Sequence, residues 1–379
     1  MTIVDNVEDM RRAAQRLLPR QFFDYVDGGS WREGTRQDNE KDLDALFLRQ
    51  RVGIDVSDRH ASSPILGREA QMPIVLAPTG LAGLLYPDGE IAAARAAEAA
   101  GVPYVLPTMS ICPIEAVRAA VSKPFWFQLY MLRDRNVVRA LIDRARAAEC
   151  SALILTMDLP AHGRRHKDVH NGLSVPLRVD LRHLVSMLRH PTWCLRMARA
   201  RHRKFGNIAP LVPDADGAMS LAHWTAQQFD PSLTWRDIEW IKRHWEGKLV
   251  IKGILDPRDA KLATEAGCDG LVVSNHGGRQ LDGAVSSIRA LQEIVPVVPN
   301  GTEIHMDGGI RSGLDVVKAL ALGAKAVYIG RPFLYGLAVG GERGVAQCLE
   351  FFRRDIDLAM AFCGVNRISD LHAGTVTRV

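Results

Sequence analysis

Eight short apolar runs, most of them followed by a segment of helical periodicity, recur along residues 72–332, and this alternation constrains the fold more than any other feature of the chain. The runs are 72–80 (MPIVLAPTG), 102–108 (VPYVLPT), 124–130 (PFWFQLY), 151–159 (SALILTMDL), 248–253 (KLVIKG), 270–276 (GLVVSNH), 303–309 (EIHMDGG) and 326–332 (AVYIGRP). Helical patterns fall at 88–100, near 113–121, over RNVVRALIDRARAAE and IEWIKRHW, and at 256–266, 286–295 and 312–322. Near-continuous apolar strands suit a parallel sheet buried on both faces. No G-x-G-x-x-G follows an early strand, which counts against a nicotinamide site and an open doubly wound sheet. The predicted fold is therefore α/β, a (β/α)8 TIM barrel over 72–335. Around it the sequence predicts an N-terminal helical segment over 1–70, a long insertion after the fourth strand at 160–233, and C-terminal helices over 336–379, all in one domain.

In such a barrel the carboxyl ends of the strands converge on one mouth, and the polar residues of this chain fall there. Pro78, Thr79 and Gly80 end the first strand, Gln128 and Tyr130 the third, Thr156 and Asp158 the fourth, and Lys252 the fifth. Ser274 and His276 end the sixth, Asp307, Gly308, Gly309 and Arg311 follow the seventh, and Gly330 and Arg331 the eighth. The stretch GLVVSNHGGRQLDG at 270–283 is the most chemically loaded, with Ser274, His276, Arg279 and Asp282 on a glycine-softened turn at a strand end. Its imidazole can take a proton near neutral pH, and the Arg279 guanidinium can hold a carboxylate through two parallel hydrogen bonds. A strand-ending histidine is more often structural than catalytic, and these residues alone leave both readings open. DGGIR at 307–311 and GRP at 330–332 suit a phosphate, because glycines let backbone N–H groups approach it and the arginines add charge. Lys252 alone reads equally well as a lysine snorkelling from the rim.

The string SNHGGRQLD resembles the active-site signature of the FMN-dependent 2-hydroxy acid dehydrogenases and oxidases, and LPRQFFDY near the N-terminus resembles the same family. The resemblance implies FMN as cofactor and a small 2-hydroxy acid as substrate. It assigns His276 as the base, Asp158 as the partner of its imidazolium, and Tyr25 and Tyr130 as hydroxyls meeting the substrate. Arg279, and Arg165 through the G-x-R-x-x-D spacing of GRRHKD, match the family's carboxylate-binding arginines. Lys252 matches the lysine at the N1/O2 edge of the flavin, where reduction leaves negative charge. Gln128 and Thr156 match positions that hydrogen-bond the isoalloxazine ring, and Pro78, Thr79, Gly80, Thr108 and Ser274 complete the expected flavin contacts. Pro107 departs from the pattern, standing where relatives commonly carry a serine, and it offers neither hydroxyl nor N–H. Gly80 and Met109 replace bulkier residues of glycolate oxidases, so lactate or an aromatic 2-hydroxy acid is expected rather than glycolate.

Composition narrows the setting. With 379 residues, 47% hydrophobic and 24% charged, the chain is long enough for one large core, and a net charge of +5 is too mild for a dedicated nucleic-acid binder. Six cysteines without a C-x-x-C pair indicate neither a zinc site nor a disulfide framework, so no metal is expected and a reducing compartment fits. The N-terminus MTIVDNVEDMRR lacks an apolar signal core, and no run is long enough to span a bilayer.

Within 178–206, Arg178, Arg182, Arg189, Arg196, Arg199, Arg201, Arg203 and Lys204 are interleaved with Leu184, Met187, Leu188, Trp193, Leu195, Met197 and Phe205. That composition suits a segment lying on an anionic membrane, with a solvated lid as the competing reading. The segment, with HPTW, FGNI and FDPSLTW, resembles bacterial membrane-associated L-lactate dehydrogenases. The expectation is oxidation of an L-2-hydroxy acid, L-lactate to pyruvate, by a tetrameric enzyme on the cytoplasmic side of the inner membrane, with electrons passed to the quinone pool. The alternatives are a mandelate-type dehydrogenase, a soluble oxidase releasing hydrogen peroxide, or a barrel that binds flavin or an organic anion without turnover.

Overall fold

A computed structural model describes residues 3–172, 181–212 and 227–378. Eight parallel strands form its centre: β1 (Ile74–Leu76), β2 (Val105–Pro107), β3 (Trp126–Tyr130), β4 (Ala152–Thr156), β5 (Lys248–Ile254), β6 (Gly270–Val273), β7 (Glu303–Asp307) and β8 (Ala326–Ile329). They pair in chain order from β2 to β8, and β8 pairs with β1. A parallel bridge between Leu76 and Tyr104 links β1 to β2, so the sheet closes on itself as a (β/α)8 barrel. Each strand falls on its predicted apolar run, though most are shorter than it. β1 stops at Leu76 and β6 at Val273, before the polar residues that end those runs, because there the chain leaves the ladder to line the mouth.

Alternation along each strand divides the core in two. Val75, Val105, Trp126, Ile154, Val250, Val272 and Tyr328 fill the barrel interior, while the complementary positions pack beneath the surrounding helices. At roughly 25 cal/mol per Å² of buried apolar surface, these two layers supply most of the driving force for closure. The amino-terminal end is plugged by an antiparallel hairpin, Ser63–Ile65 with Arg68–Ala70. Its two-residue turn puts Leu66 at φ +49° and Gly67 at φ +77°, the left-handed pair that a tight hairpin of this kind requires. Ile65, Leu66 and Ala70 join the interior core from below.

The N-terminal segment, expected to be helical over 1–70, has helices Val7–Leu17, Arg20–Asp27 and Gly34–Asp44 and then turns to strands, Leu46–Leu48 and the hairpin. It is fastened to the loop after β6. Ser30 N–H donates to the Gly278 carbonyl at 2.9 Å, and the Asp282 carboxylate accepts from Arg32 and Thr35 N–H at 3.0 and 2.9 Å. Asp282, singled out with the histidine motif, is thus a cap for the start of a helix and not a group of the mouth. The insertion after β4 contributes helices His166–His170, Leu181–Leu188 and Pro191–Met197 before Arg236–His244 returns the chain to the barrel. Arg178 lies outside the described residues, as do the side chains of Arg182 and Leu184. After β8 come helices Arg331–Gly340 and Glu342–Cys363, and the chain ends in a short strand, Val376–Arg378, antiparallel to Leu46–Leu48.

Candidate active site

The mouth at the carboxyl ends opens into a cavity enclosing about 1190 Å³ including its entrance. Strand register brings its groups together: Tyr130 lies beside Thr156, and Thr156 beside Lys252. His276, Arg279, Arg165, Tyr25, Tyr130 and Gly80 line one part of the cavity. Pro78, Thr79, Gln128, Thr156, Lys252, Asp307, Gly308, Gly309, Arg311, Gly330 and Arg331 line the remainder.

Three residues expected at the cavity sit behind it instead. Asp158 lies beneath His276, with Oδ1 at 2.9 Å from Nδ1. Ser274 is fully buried and its hydroxyl accepts from Lys252 Nζ at 2.6 Å and from His276 N–H at 3.0 Å. Thr108, also fully buried, donates its hydroxyl to the Gln128 carbonyl at 2.6 Å, and its N–H donates to Gln128 Oε1 at 3.2 Å. Thr108 and Ser274 thus orient cavity groups from just behind the lining. Pro107 is buried in β2, and its carbonyl accepts from Asn207 Nδ2 at 3.2 Å.

The turn that carries His276 is conformationally unusual. His276, Gly277 and Gly278 have φ of +59°, +63° and +72°, three left-handed residues in succession. Glycine tolerates this conformation, and a Cβ on Gly278 would stand 2.5 Å from Arg36 N. A histidine held in that region is a strained residue kept by its surroundings, a pattern that concentrates at functional sites. Burial pushes the Asp158 carboxyl up, but the His276 charge and hydrogen bond and the nearby Lys252 outweigh this and hold it below the usual carboxylate range. An ionised Asp158 accepts, so His276 Nδ1 carries the hydrogen and Nε2 is left as the basic nitrogen.

The anion-binding side shows an excess of positive charge. Arg279 donates to the backbone carbonyls of Tyr25 and Gly28, and its guanidinium lies 4.9 Å from the Tyr25 ring centroid. It has no carboxylate partner among the described residues; burial first, then the neighbouring Arg165, lowers its pKa. Arg165 reaches Asp168 at 3.6 Å. Arg331 likewise donates only to carbonyls, those of Val26, Gly277 and Gly28. Burial, with Arg311 next, pushes it down to about 9. Two guanidiniums lacking counter-charges beside a cavity are arranged for anions, one near His276 and one near β8. Arg311 is less free than the sequence suggests, since Glu40 already takes one of its nitrogens at 2.8 Å.

The cavity also fits FMN in its unsatisfied polar atoms. Thr79 Oγ1 and Asp307 Oδ1 are buried and have no partner, while Lys252 Nζ is held at 2.7 Å from Asp307 Oδ2. Buried polar atoms are rarely left bare, and a polar ring system or ribityl chain would satisfy them. The glycines of the DGG motif serve a further purpose: a Cβ on Gly309 would lie 2.3 Å from the Asn39 carbonyl, so helix Gly34–Asp44 packs only because none is there.

Among the lining residues that sequence reasoning did not assign are His162 and Phe229. Their rings meet edge-on with centroids 4.4 Å apart, and Phe229 meets Tyr130 in the same way at 5.3 Å. Burial, with Arg165 and His276 nearby, lowers the His162 pKa, so it is neutral at pH 7. His162 stands three residues before Arg165 in the same loop and could have been noticed; Phe229 opens the FDPSLTW stretch at the end of the insertion, which marked the region but not a lining role.

Comparison with known proteins agrees with this geometry. The family model for FMN-dependent dehydrogenase matches residues 14–378. The L-lactate dehydrogenase of Caulobacter vibrioides (strain NA1000 / CB15N) is 47% identical over 371 residues, covering 98% of this chain and 97% of the relative. Among solved structures, the monotopic membrane protein (S)-mandelate dehydrogenase is similar with a TM-score of 0.95 and 35% identity, covering 100% of both chains. A mandelate oxidase is similar with a TM-score of 0.84 and 38% identity, covering 100% of this chain and 99% of that one.

Proposed function

The chain belongs to the FMN-dependent dehydrogenase family, whose members of this kind oxidise 2-hydroxy acids, and on that premise we propose that its substrate is L-lactate, its product pyruvate and its acceptor a membrane quinone. The observation that carries the chemistry is the His276–Asp158 pair at 2.9 Å, facing a cavity that Arg279 and Arg165 also line. The two guanidiniums bind the substrate carboxylate, Arg279 from its perch on the Tyr25 ring. Oxidation removes two electrons and two hydrogens from C2 and its hydroxyl; one hydrogen leaves as a proton, and His276 Nε2 takes it. Asp158 stabilises the imidazolium that results and keeps its ring oriented. FMN, when bound, accepts the electron pair and the other hydrogen.

Tyr130 and Tyr25 steer the substrate hydroxyl and carboxylate with their phenolic groups. Burial raises the Tyr130 pKa, so it remains a neutral donor throughout. Gln128, Thr156, Thr79 and Asp307 suit the flavin ring and ribityl chain, and Gly308, Gly309, Arg311, Gly330 and Arg331 suit its phosphate. Lys252 suits the edge of the ring that gains negative charge on reduction. The whole chain acts as one catalytic unit in this reading.

A mandelate-type substrate is the second reading. Gly80 leaves open the space between Met109 and the Tyr25 hydroxyl, where a Cβ would stand 3.5 and 3.7 Å from them. Anaerobic addition of substrate to the yellow holoprotein tests both: rapid bleaching is expected with L-lactate, and faster bleaching with (S)-mandelate would replace lactate as the substrate. A flavin that stays yellow with every 2-hydroxy acid in the panel would sink the catalytic assignment.

Peripheral membrane contact is supported by the insertion. Val185, Leu188 and Leu195 are exposed, beside the exposed Arg189, Arg199, Arg201, Arg203 and Lys204. Among the described residues no helix is long and apolar enough to cross a membrane. Replacing Leu188 and Leu195 by aspartate should release the protein from anionic vesicles while dye-linked activity persists. Exposed Leu358 and Phe362, one turn apart on helix Glu342–Cys363, support a homo-oligomer, to be measured by light scattering.

A further inference from the structure

Outside the cavity, three segments far apart in sequence meet on the flank of the mouth. Asp88 is the N-cap residue of helix Gly89–Ala100 in the connection after β1; Cys112 follows β2; His202 comes from the insertion. One ligand-type atom of each, a carboxylate oxygen, a thiol sulfur and an imidazole nitrogen, lies within 4.8 Å of the other two. Among the described residues this is the one group of three or more such side chains so placed.

A fourth group points to what is missing there. Glu90, in the first turn of the same helix, is wholly buried, with its Oε1 accepting N–H bonds from Gly83 at 3.1 Å and Ile111 at 3.0 Å. Its Oε2 is buried with no nitrogen or hydroxyl donor among the described residues, and the carboxyl meets only the weak donor of the fully buried Cys112 thiol. A buried carboxylate answered by a thiol alone, with no counter-charge among the described residues, is among the more costly arrangements in a protein interior. His202 Nδ1 lies 2.9 Å from Asp88 Oδ1 on the partly exposed side of the cluster.

We propose that Asp88, Cys112 and His202 form a binding site for a zinc-like divalent cation, with Glu90 supplying charge or a fourth ligand from within. Sulfur, imidazole nitrogen and carboxylate oxygen gathered within 4.8 Å of one another suit Zn²⁺, whereas Mg²⁺ and Ca²⁺ demand oxygen ligands alone. The thiol gives up its proton to bind, and the positive ion answers both the buried Glu90 and the Asp88 carboxylate. Entry is open from outside, since the Asp88 and His202 side chains are 22% and 28% exposed.

The cation would clip the insertion to the barrel. Just beyond His202 the insertion is already anchored: Gly206 N–H donates to the Ser110 carbonyl at 2.9 Å, and Asn207 Oδ1 accepts from Ile114 N–H at 2.9 Å. A Cβ on Gly206 would lie 2.4 Å from Pro113 N, so backbones touch here. His202 is therefore delivered to Cys112 by a docked strand of chain. Cysteine spacing alone could not reveal the site, because its ligands come from three separate connections.

The test uses the full-length FMN-loaded protein, stripped with a chelator and then dialysed against zinc chloride, with cadmium chloride as the optical probe. The expected result is one zinc per chain and a thiolate-to-cadmium band in the ultraviolet difference spectrum. His202→Ala should weaken zinc binding by about 100-fold or more, and Asp88→Asn should act in the same direction. Cys112→Ser should abolish the cadmium band, with the visible flavin spectrum reporting that the variant has folded. Should that variant fail to fold, the band in the wild-type protein and its loss in His202→Ala decide the matter. Zinc bound no more tightly by the wild-type protein than by His202→Ala, or cadmium bound without a thiolate band, overturns the proposal.

Discussion

The two ends of the barrel are made by the same eight strands but treat their charges differently. At the amino-terminal floor, charges have partners: Lys248 meets Asp269 at 2.6 Å, and Glu303 meets His305 at 3.0 Å while accepting from Leu66 N–H. His305, wholly buried, is satisfied on its other nitrogen by the Tyr328 hydroxyl at 3.2 Å. Ser151 Oγ is the exception at this end. At the mouth, Thr79 Oγ1, Asp158 Oδ2 and Asp307 Oδ1 are bare, and Arg279 and Arg331 face a cavity with no carboxylate to pair them, all among the described residues. Unfinished pairing at one end and finished pairing at the other marks where a ligand completes the structure.

The largest expected difference between the ends is catalytic. His276→Ala should slow flavin reduction by about 1000-fold or more, as loss of a general base does, while FMN stays bound. Glu303→Gln, its counterpart at the floor, should leave the rate within about twofold and lower stability by about 1–3 kcal/mol through the weakened bond to buried His305. Stopped-flow absorbance of the flavin measures the first and denaturant unfolding the second. Equal rate losses in the two variants would erase the distinction between the ends.

A second comparison sets the bare mouth against a fully paired network just behind its wall. Asp27 accepts from Arg11 at 2.6 and 2.9 Å and from the Tyr335 hydroxyl at 2.8 Å. Burial pushes its carboxyl up, but those bonds prevail and hold it well below the usual carboxylate range. The folded-state pKa is thus depressed. Its contribution is fully present above the unfolded value, about 3.9, and is lost as pH falls through the folded one. Asp27→Asn should cost about 3 kcal/mol at pH 7, with the gap from wild type shrinking in acid. A gap that widened in acid would show that this pairing is not what stabilises the helices behind the mouth.

How far all this could be read from the sequence follows from range. The apolar runs and the residues that end them are local, so the barrel, the mouth and the His276 turn were legible. Asp282 looked chemical because it shares a motif with His276, yet it caps a helix nearly 250 residues earlier in the chain. Thr108 and Ser274 carry hydroxyls at strand ends, but a single residue's twist decides whether a hydroxyl faces the cavity or the layer behind. Phe229 and the Asp88–Cys112–His202 group depend on where a long insertion lands, which no spacing rule encodes. His305 was hidden within a run that read as a buried strand, and only the alternation of the closed barrel turns it inward.

Arg279→Lys tests the mouth by a smaller step. An ammonium keeps the charge but cannot make the planar forked contact, and it loses the stacking on Tyr25. The expected change is a rise in KM for L-lactate of about 10- to 100-fold, corresponding to about 1.4–2.8 kcal/mol, with a lesser effect on the rate at saturation. A fall in the saturated rate with KM unchanged would mean that Arg279 serves the chemical step and not the binding of the carboxylate.

The smallest effect gives the cleanest contrast, because β5 carries a lysine at each end. Lys252, at the mouth, is 5% exposed in its side chain and sits 2.7 Å from an aspartate that is 11% exposed. Lys248, at the floor, makes an equally short pair with Asp269, but those side chains are 51% and 31% exposed. Water screens the second pair, so its contact distance says little about its energy. Lys248→Ala should therefore change stability by less than about 1 kcal/mol, and by less still at high salt. Flavin content and turnover should not move. A loss of bound FMN on this substitution would mean that the two ends of the strand are coupled through the barrel interior, and the division between a paired floor and an unfinished mouth would then fail.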